Sequence, residues 1–295
     1  MTTRRPLGPR DRIVTAVADR RRTILDVIRR AERQISLSMF RCDDEEILGG
    51  LADASSRGVV VDILVTTRAK GGRPQLEELR RALDRTGARV HDYPDPVVKY
   101  HAKYLIADAG PAVVASLNFT RKCFTRTFDA LVVTYDAAVV SGLRQLMAAD
   151  RQGQSLPDGL SPRLIVGPER ARAQFTTLID GARSSVRLID PKLSDPDLLR
   201  LLDARRTKGM TVEIHGARRV GGLKSHGKIM LIDDRIAIVG SVALSAPSLD
   251  LRREVAIVVD QMTAIAEIRR VFKMVAASSP GGRAVAATAA GWMPC

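Results

Sequence analysis

Polar, reactive residues recur along this chain in a fixed register. His101 and Lys103 are followed by Asp108, Ser116, Asn118 and Asp129, and His226 and Lys228 by Asp233, Ser241 and Glu254. Each member of the second set lies 125 residues after its counterpart, and the one break in the pattern is Ala243 opposite Asn118. A lone His-x-Lys is an ordinary surface pattern. Two complete sets without a gap mark a duplicated fold whose halves carry the same chemistry. Brought face to face by pseudo-two-fold packing, they form a phosphate site that needs neither metal nor cofactor. The lysines neutralise nonbridging oxygens, and Ser116, Asn118 and Ser241 donate hydrogen bonds to them. Two histidines allow a division of labour, with one attacking phosphorus and the other protonating the leaving oxygen and then activating water or an alcohol. Each ring needs an acceptor on its second nitrogen to fix the tautomer. Asp129 and Glu254, at equivalent places after each histidine, are the candidates.

The elements that position these residues follow from the apolar periodicity. In the first half, a helix from Thr23 leads to a strand at 35–39, a helix at 44–56, a strand at 59–65, a helix from Pro74 to Thr86 and a short strand near Val90. The second half repeats the plan with helices near 170–182 and 196–206 and strands at 186–189 and 211–215. Gly58 and Gly209 are 151 apart whereas the later motifs are 125 apart, so the first half holds 26 extra residues, the helix opened by Pro74 and its flanks. Apolar segments follow each histidine, precede each serine and carry each acid at the start, and each half closes with a helix near 137–149 or 262–275. His and Lys two apart on a strand would point to one side. His91 and His215, ten and eleven residues before the motif histidines, read as strand-end residues.

The organisation expected is a basic arm over 1–22, a first domain over 23–150, a linker over 151–162, a second domain over 163–276 and a disordered tail over 277–295. The arm carries seven arginines and two aspartates. Net charge is +14 and 45% of residues are hydrophobic, so the chain combines a real core with a surface that attracts polyanions. Three cysteines, Cys42, Cys123 and Cys295, show no paired spacing, which fits a reducing compartment and a packing role for Cys123. No signal-peptide core and no run of 18 apolar residues is present. The expectation is a cytoplasmic protein able to touch an anionic membrane peripherally. One chain supplies both half-sites, so catalysis does not require an oligomer.

The two copies, HAKYLIADAGPAVVASLN and HGKIMLIDDRIAIVGSVA, resemble the phospholipase D superfamily, the HKD phosphodiesterases. The resemblance covers roughly residues 23–275. It implies an α/β fold, with two α/β/α sandwich halves, mixed sheets and pseudo-two-fold symmetry. It also implies a covalent phosphohistidine, no metal, His101 as nucleophile with His226 as acid and then base, and a supporting role for Asp108 and Asp233. Three positions depart from the family pattern: Ala115 for Gly, Ala243 for Asn, and Asp129 as a shorter acid than Glu254.

The substrate expected is an anionic phosphodiester. Arg68, Lys70, Arg121, Lys122, Arg126, Arg218, Arg219, Lys224, Arg252 and Arg253 crowd the segments beside the motifs. Phospholipid hydrolysis or phosphatidyl transfer is the first reading. A nuclease is the alternative, with Phe119, Phe124 and Phe128 as the candidate stacking residues. A non-catalytic polyanion-binding module is the third.

Overall fold

The computed structural model describes residues 9–68 and 72–277. The first half runs β1 (Asp11–Val14), α1 (Val17–Arg30), β2 (Gln34–Met39), α2 (Glu45–Ser56), β3 (Val60–Val65), α3 (Arg73–Asp84), β4 (Arg89–Asp92), β5 (Lys99–Tyr100), β6 (Tyr104–Ala107), β7 (Ala112–Ala115), α4 (Arg121–Thr125), β8 (Thr127–Phe128), β9 (Leu131–Thr134) and α5 (Ala137–Gln152). The second runs β10 (Leu164–Gly167), α6 (Ala171–Asp180), β11 (Ser185–Ile189), α7 (Pro196–Thr207), β12 (Thr211–His215), β13 (Lys224–Ser225), β14 (Lys228–Ile232), β15 (Ile236–Gly240), α8 (Ala246–Asp250), β16 (Arg252–Val259) and α9 (Met262–Ala277).

Two large mixed sheets carry this order. One reads β1-β9-β7-β6-β2-β3-β4 and the other β10-β16-β15-β14-β11-β12. They match strand for strand, and β4 alone lacks a counterpart. The 26 extra residues are therefore α3 and β4. In each half a helix crossover joins a parallel pair, β2/β3 or β11/β12, and the motif strands add to it antiparallel.

Local chemistry sets the boundaries. Asp44 caps α2 by accepting from Ile47 N at 3.3 Å, and Asp195 caps α7 by accepting from Leu198 N at 3.1 Å. Strands β6, β7 and β9 are buried throughout, as expected where both faces of a sheet are covered. One core layer lies under α1 to α3 on the outer face of the first sheet, and another under α6 and α7 on the second. A third lies between the halves, where Val114 and Val132 join Leu231, Val239 and Ile257 together with Leu143 of α5 and Phe272 of α9. α9 packs along β1 of the other half. α5 reaches β10, and a Cβ added at Gly142 would stand 3.0 Å from Leu164. This central layer belongs to neither half alone.

The structure corrects the sequence reading at four places. From Asp11 onward the expected arm is folded. Ile13 and Val14 are buried, β1 pairs with β9, and Asp11 accepts from Thr134 Oγ1 at 2.6 Å and from Arg163 Nη2 at 2.7 Å. The linker begins later than expected, because α5 continues to Gln152 with Asp150 buried against Arg253 at 2.9 Å. Phe119, Phe124 and Phe128 are buried core side chains and offer no stacking surface. Arg253 is likewise interior, paired with Asp150 and Glu169. Lys70, residues 1–8 and the expected tail beyond Ala277 lie outside the described residues.

Candidate active site

The pairing of short strands across the halves builds the site. β5, just before His101, adds parallel to the start of β16, with Lys99 opposite Arg252 and Tyr100 opposite Arg253. β13, just before His226, adds parallel to β8, with Lys224 opposite Thr127 and Ser225 opposite Phe128. The next backbone bonds continue both ladders: His101 N donates to Arg253 O at 2.9 Å and His226 N to Phe128 O at 3.2 Å. Each histidine is thereby set beside the acid of the opposite half. His101 Nδ1 lies 2.6 Å from Glu254 Oε1, and His226 Nδ1 lies 2.8 Å from Asp129 Oδ1.

The lysines reach their places by folding back. His101 and Lys103 lie between β5 and β6 and not on a regular strand, so the pleat does not align them. Instead Lys103 Nζ donates to His101 O at 2.6 Å and stands 3.1 Å from His101 Nδ1. Lys228 Nζ donates to His226 O at the same 2.6 Å. Both lysines are buried. Burial pushes Lys103 down to about 7, against the attraction of Glu254.

The electrostatics of the two pairs differ. Burial, with Lys103 and Lys228 close by, pushes His101 well below its ordinary range. Burial also raises the Glu254 carboxyl. A neutral His101 donating Nδ1–H to Glu254 fits both shifts and leaves the Nε2 lone pair free. Burial lowers His226 too, but the bond and charge of Asp129 oppose that shift. Asp129 would be raised by burial, yet the bond and charge of His226, with Lys228 and Thr127, hold it below the usual carboxylate range. Asp129 therefore supports a proton on His226 against burial, and His101 receives no equivalent support. The His226 side chain is 29% exposed and that of His101 13%, so His226 has the freer access to solvent.

The expected phosphate donors are placed unequally. Ser116 Oγ donates to Asp129 Oδ1 at 2.8 Å and accepts from Ala130 N at 3.0 Å. Ser241 Oγ lies 3.3 Å from Val255 O and accepts from Val255 N at 3.1 Å. Both serines, expected as phosphate donors, are buried and hydrogen-bonded to the segments that carry the acids. The Asn118 side-chain carbonyl is buried without a hydrogen-bond partner. Asp108 and Asp233 stand apart from the histidines. Asp108 accepts from the backbone N–H groups of Glu32, Arg33 and Gln34 at 2.8–2.9 Å, and Asp233 from those of Arg183, Ser184 and Ser185 at 2.7–3.1 Å. Both sit at positive φ, 41° and 51°, where aspartate is among the better-tolerated side chains. Each pins the entry of β2 or β11 to the turn after its motif strand. His91 meets Asp62 at 3.0 Å on β4, and His215 ends β12, both away from the motif pairs.

Two contributors were not read from the sequence. Arg20, assigned to the arm, is fully buried on α1; its Nη2 donates to Thr127 O at 2.9 Å and its Nη1 lies 3.8 Å from Asp129 Oδ2. The signal was present, since Arg20 is four residues before Ile24 and eight before Ile28, on the apolar face. Ser248 Oγ donates to Glu254 Oε2 at 2.5 Å and accepts from Ala243 N at 2.8 Å. Its counterpart 125 residues earlier is Cys123, so the repeat register would have found it. Among the described residues, one set of possible metal donors lies within 4.8 Å: Cys123, Asp129 and His226. These atoms do not suit a cation. His226 and Asp129 are bonded to each other, Thr127 Oγ1 and Ser116 Oγ hold the carboxylate, and burial raises the Cys123 thiol.

A duplicated α/β fold with crossed histidine–carboxylate pairs at its seam defines the class. The family described as cardiolipin synthase, PLD-like domain, matches residues 24–151 and 213–276, and the chain belongs to it. Cardiolipin synthase A of Pseudomonas aeruginosa is 28% identical over 121 residues, which cover 40% of this chain and 24% of that protein. The match thus spans about a quarter of the curated relative's length. Two solved structures share the fold over 90% of this chain. Polyphosphate kinase from Porphyromonas gingivalis has a TM-score of 0.72 at 19% identity over 50% of its chain. Phosphatidylserine synthase from Haemophilus influenzae Rd KW20 has a TM-score of 0.68 at 13% identity over 86% of its chain.

Proposed function

We propose that this protein is a phosphodiesterase that works through a covalent phosphohistidine, with phospholipids as its substrates. The observation that carries the proposal is the pair of crossed contacts, His101–Glu254 at 2.6 Å and His226–Asp129 at 2.8 Å. Each leaves Nε2 of the ring outside the carboxylate bond, and Lys103 and Lys228 each donate to the backbone carbonyl of their own histidine. His101 Nε2 attacks phosphorus, the P–O bond to the leaving group breaks, and its electron pair departs with oxygen, to which His226 delivers a proton. His226 then takes a proton from water or an alcohol. That oxygen attacks phosphorus, and the P–N bond breaks with its pair returning to His101. Lys103 and Lys228 neutralise the nonbridging oxygens throughout. Water as acceptor gives hydrolysis; an alcohol gives transfer.

The lipid reading draws on the family and on the name of the curated relative, cardiolipin synthase A. No helix among the described residues is long and apolar enough to cross a membrane, so the access proposed is peripheral contact with an anionic surface. A nuclease is the second reading. It is favoured by the net charge of +14, and the burial of the three candidate phenylalanines speaks against it.

The test is turnover of an aryl phosphodiester, then of anionic phospholipid vesicles beside single- and double-stranded DNA. Wild type is expected to turn over the aryl diester in the presence of EDTA and to prefer the vesicles. His101→Ala is expected to lose about a thousandfold or more in kcat. Activity abolished by EDTA, or retained in both His101→Ala and His226→Ala, would overturn the mechanism; turnover of DNA alone would overturn the lipid reading.

A further inference from the structure

Ala243 leaves the second half without the amide that Asn118 gives the first, and the segment beside it is held in an unusual way. Asp190, at the end of β11, is 3% exposed and spends both carboxylate oxygens on backbone: Oδ2 accepts from Leu244 N at 2.7 Å and Oδ1 from Lys192 N at 2.8 Å. Leu244 O in turn accepts from Ser194 N at 2.9 Å and Asp195 N at 3.1 Å. The loop over 190–195 is thus stitched to the residue next to Ala243.

This latch presents Lys192. Its side chain is exposed, and among the described residues no ion pair or hydrogen bond occupies its ammonium. Lys228, Arg252 and Glu254 are the charges around it, and Lys192 is itself among the charges that act on His101. Asp190 acts on Lys192 as well, but both its oxygens are taken by backbone N–H groups, so three cations held together beside two acids still leave a net positive charge that attracts an anion. The first half has a cation at the same place in the fold. Arg41 precedes Lys192 by 151 residues, the interval that also separates Asp44 from Asp195 and Arg21 from Arg172. Arg41 lies over the Phe40 ring at 5.6 Å, and that ring packs 4.6 Å from His101. The first half therefore has the amide and a cation stacked on an aromatic ring. The second has Ala243 in place of the amide and, among the described residues, no aromatic ring under its cation.

We propose that Lys192 supplies the second half's contact to a phosphate oxygen in place of the amide missing at Ala243, so that Asn118 and Lys192 hold the reacting phosphate from opposite halves. The inference rests on the phosphodiesterase reading above. Lys192 lies in the stretch between residues 151 and 213, which the family match leaves out. An ammonium in place of a neutral amide adds Coulombic attraction and favours phosphate groups of higher charge.

The experiment measures inorganic phosphate binding by calorimetry, and kcat and KM for an aryl phosphodiester, in wild type, Lys192→Gln, Lys192→Arg and Lys208→Gln. Lys208, exposed at the end of α7, controls for loss of one distant charge. Lys192→Gln is expected to weaken phosphate binding about tenfold and to raise KM with little change in kcat, while Lys192→Arg stays within about threefold of wild type. Lys208→Gln is expected to match wild type. Phosphate affinity in Lys192→Gln within twofold of wild type, or an equal loss in Lys208→Gln, would overturn the proposal. A wild type that binds phosphate through Lys192 yet turns over no diester would instead overturn the phosphodiesterase reading and leave the subsite standing.

Discussion

The two histidines have the same neighbours by type and are both pushed down by burial, His101 further, while their acids shift in opposite directions. His101 is the more enclosed and sits beside a raised carboxyl; His226 sits beside a depressed one. In the proposed mechanism His101 attacks as a neutral ring, so activity is expected to fall at low pH as that ring takes a proton, and its lowered pKa puts this acid limb below the usual histidine range. Lys103, pushed down to about 7, loses charge as pH rises through that value, so if it holds the phosphate as proposed, KM is expected to climb above neutrality. A pH–rate profile of kcat/KM checks both limbs. Asp129 favours the protonated form of His226, and Asp129→Asn removes that support. The alkaline limb of kcat should move to lower pH, with about a hundredfold loss at the optimum. An unmoved limb would show that His226 does not titrate in it.

At the scale of elements, the turns and strand crossings that look incidental hold the motifs in register. Gly240 ends β15 against β16, where an added Cβ would stand 2.3 Å from Ala256 Cα and 2.4 Å from Val255 O. Backbone cannot yield as a side-chain tip does, so Gly240→Ala is expected to cost about 3 kcal/mol and lower Tm by about 5–10 °C in a thermal melt. The equivalent Ala115 in β7 already carries a Cβ, so Ala115→Gly should shift Tm far less. Asp233 is the pin of β11, held at about 2 by backbone and side-chain donors against the cost of burial. Its folded value lies below its ordinary one. The stability it contributes is therefore present above pH 4 and is lost as pH falls through about 2. Asp233→Asn should melt earlier than wild type at neutral pH, and the two curves should converge in acid.

For the molecule as a whole, the halves are duplicated in sequence but not independent in structure. The central core layer draws on both sheets, α9 lies along β1, and each histidine takes its acceptor from the opposite half. A polypeptide ending at Gln152, or one beginning at Leu160, would expose that layer and break the Arg163–Asp11, Arg163–Asp136 and Arg253–Asp150 ion pairs. Neither fragment is expected to show a cooperative melt by circular dichroism, and mixing them should restore both structure and turnover together.

The sequence by itself determined the duplication, the motif residues, the insertion of α3 and β4, and the mixed α/β class. These depend on residue type and spacing along the chain, which apolar periodicity and a fixed interval report directly. Only the tertiary structure decided which acid serves which histidine, because that choice depends on strand pairs between segments more than a hundred residues apart, β5 with β16 and β13 with β8. It also put the Ser116 hydroxyl on the Asp129 carboxylate, the Ser241 hydroxyl on the Val255 backbone, and Arg20, from an expected arm, beside the carboxylate of Asp129. A hydroxyl or guanidinium advertises what it can donate, but its partner is set by what burial brings within 3 Å of it. The inequality of the two copies was legible at Ala243. The residue proposed to answer it, Lys192, is placed by a tertiary contact, the stitch from Asp190 to Leu244.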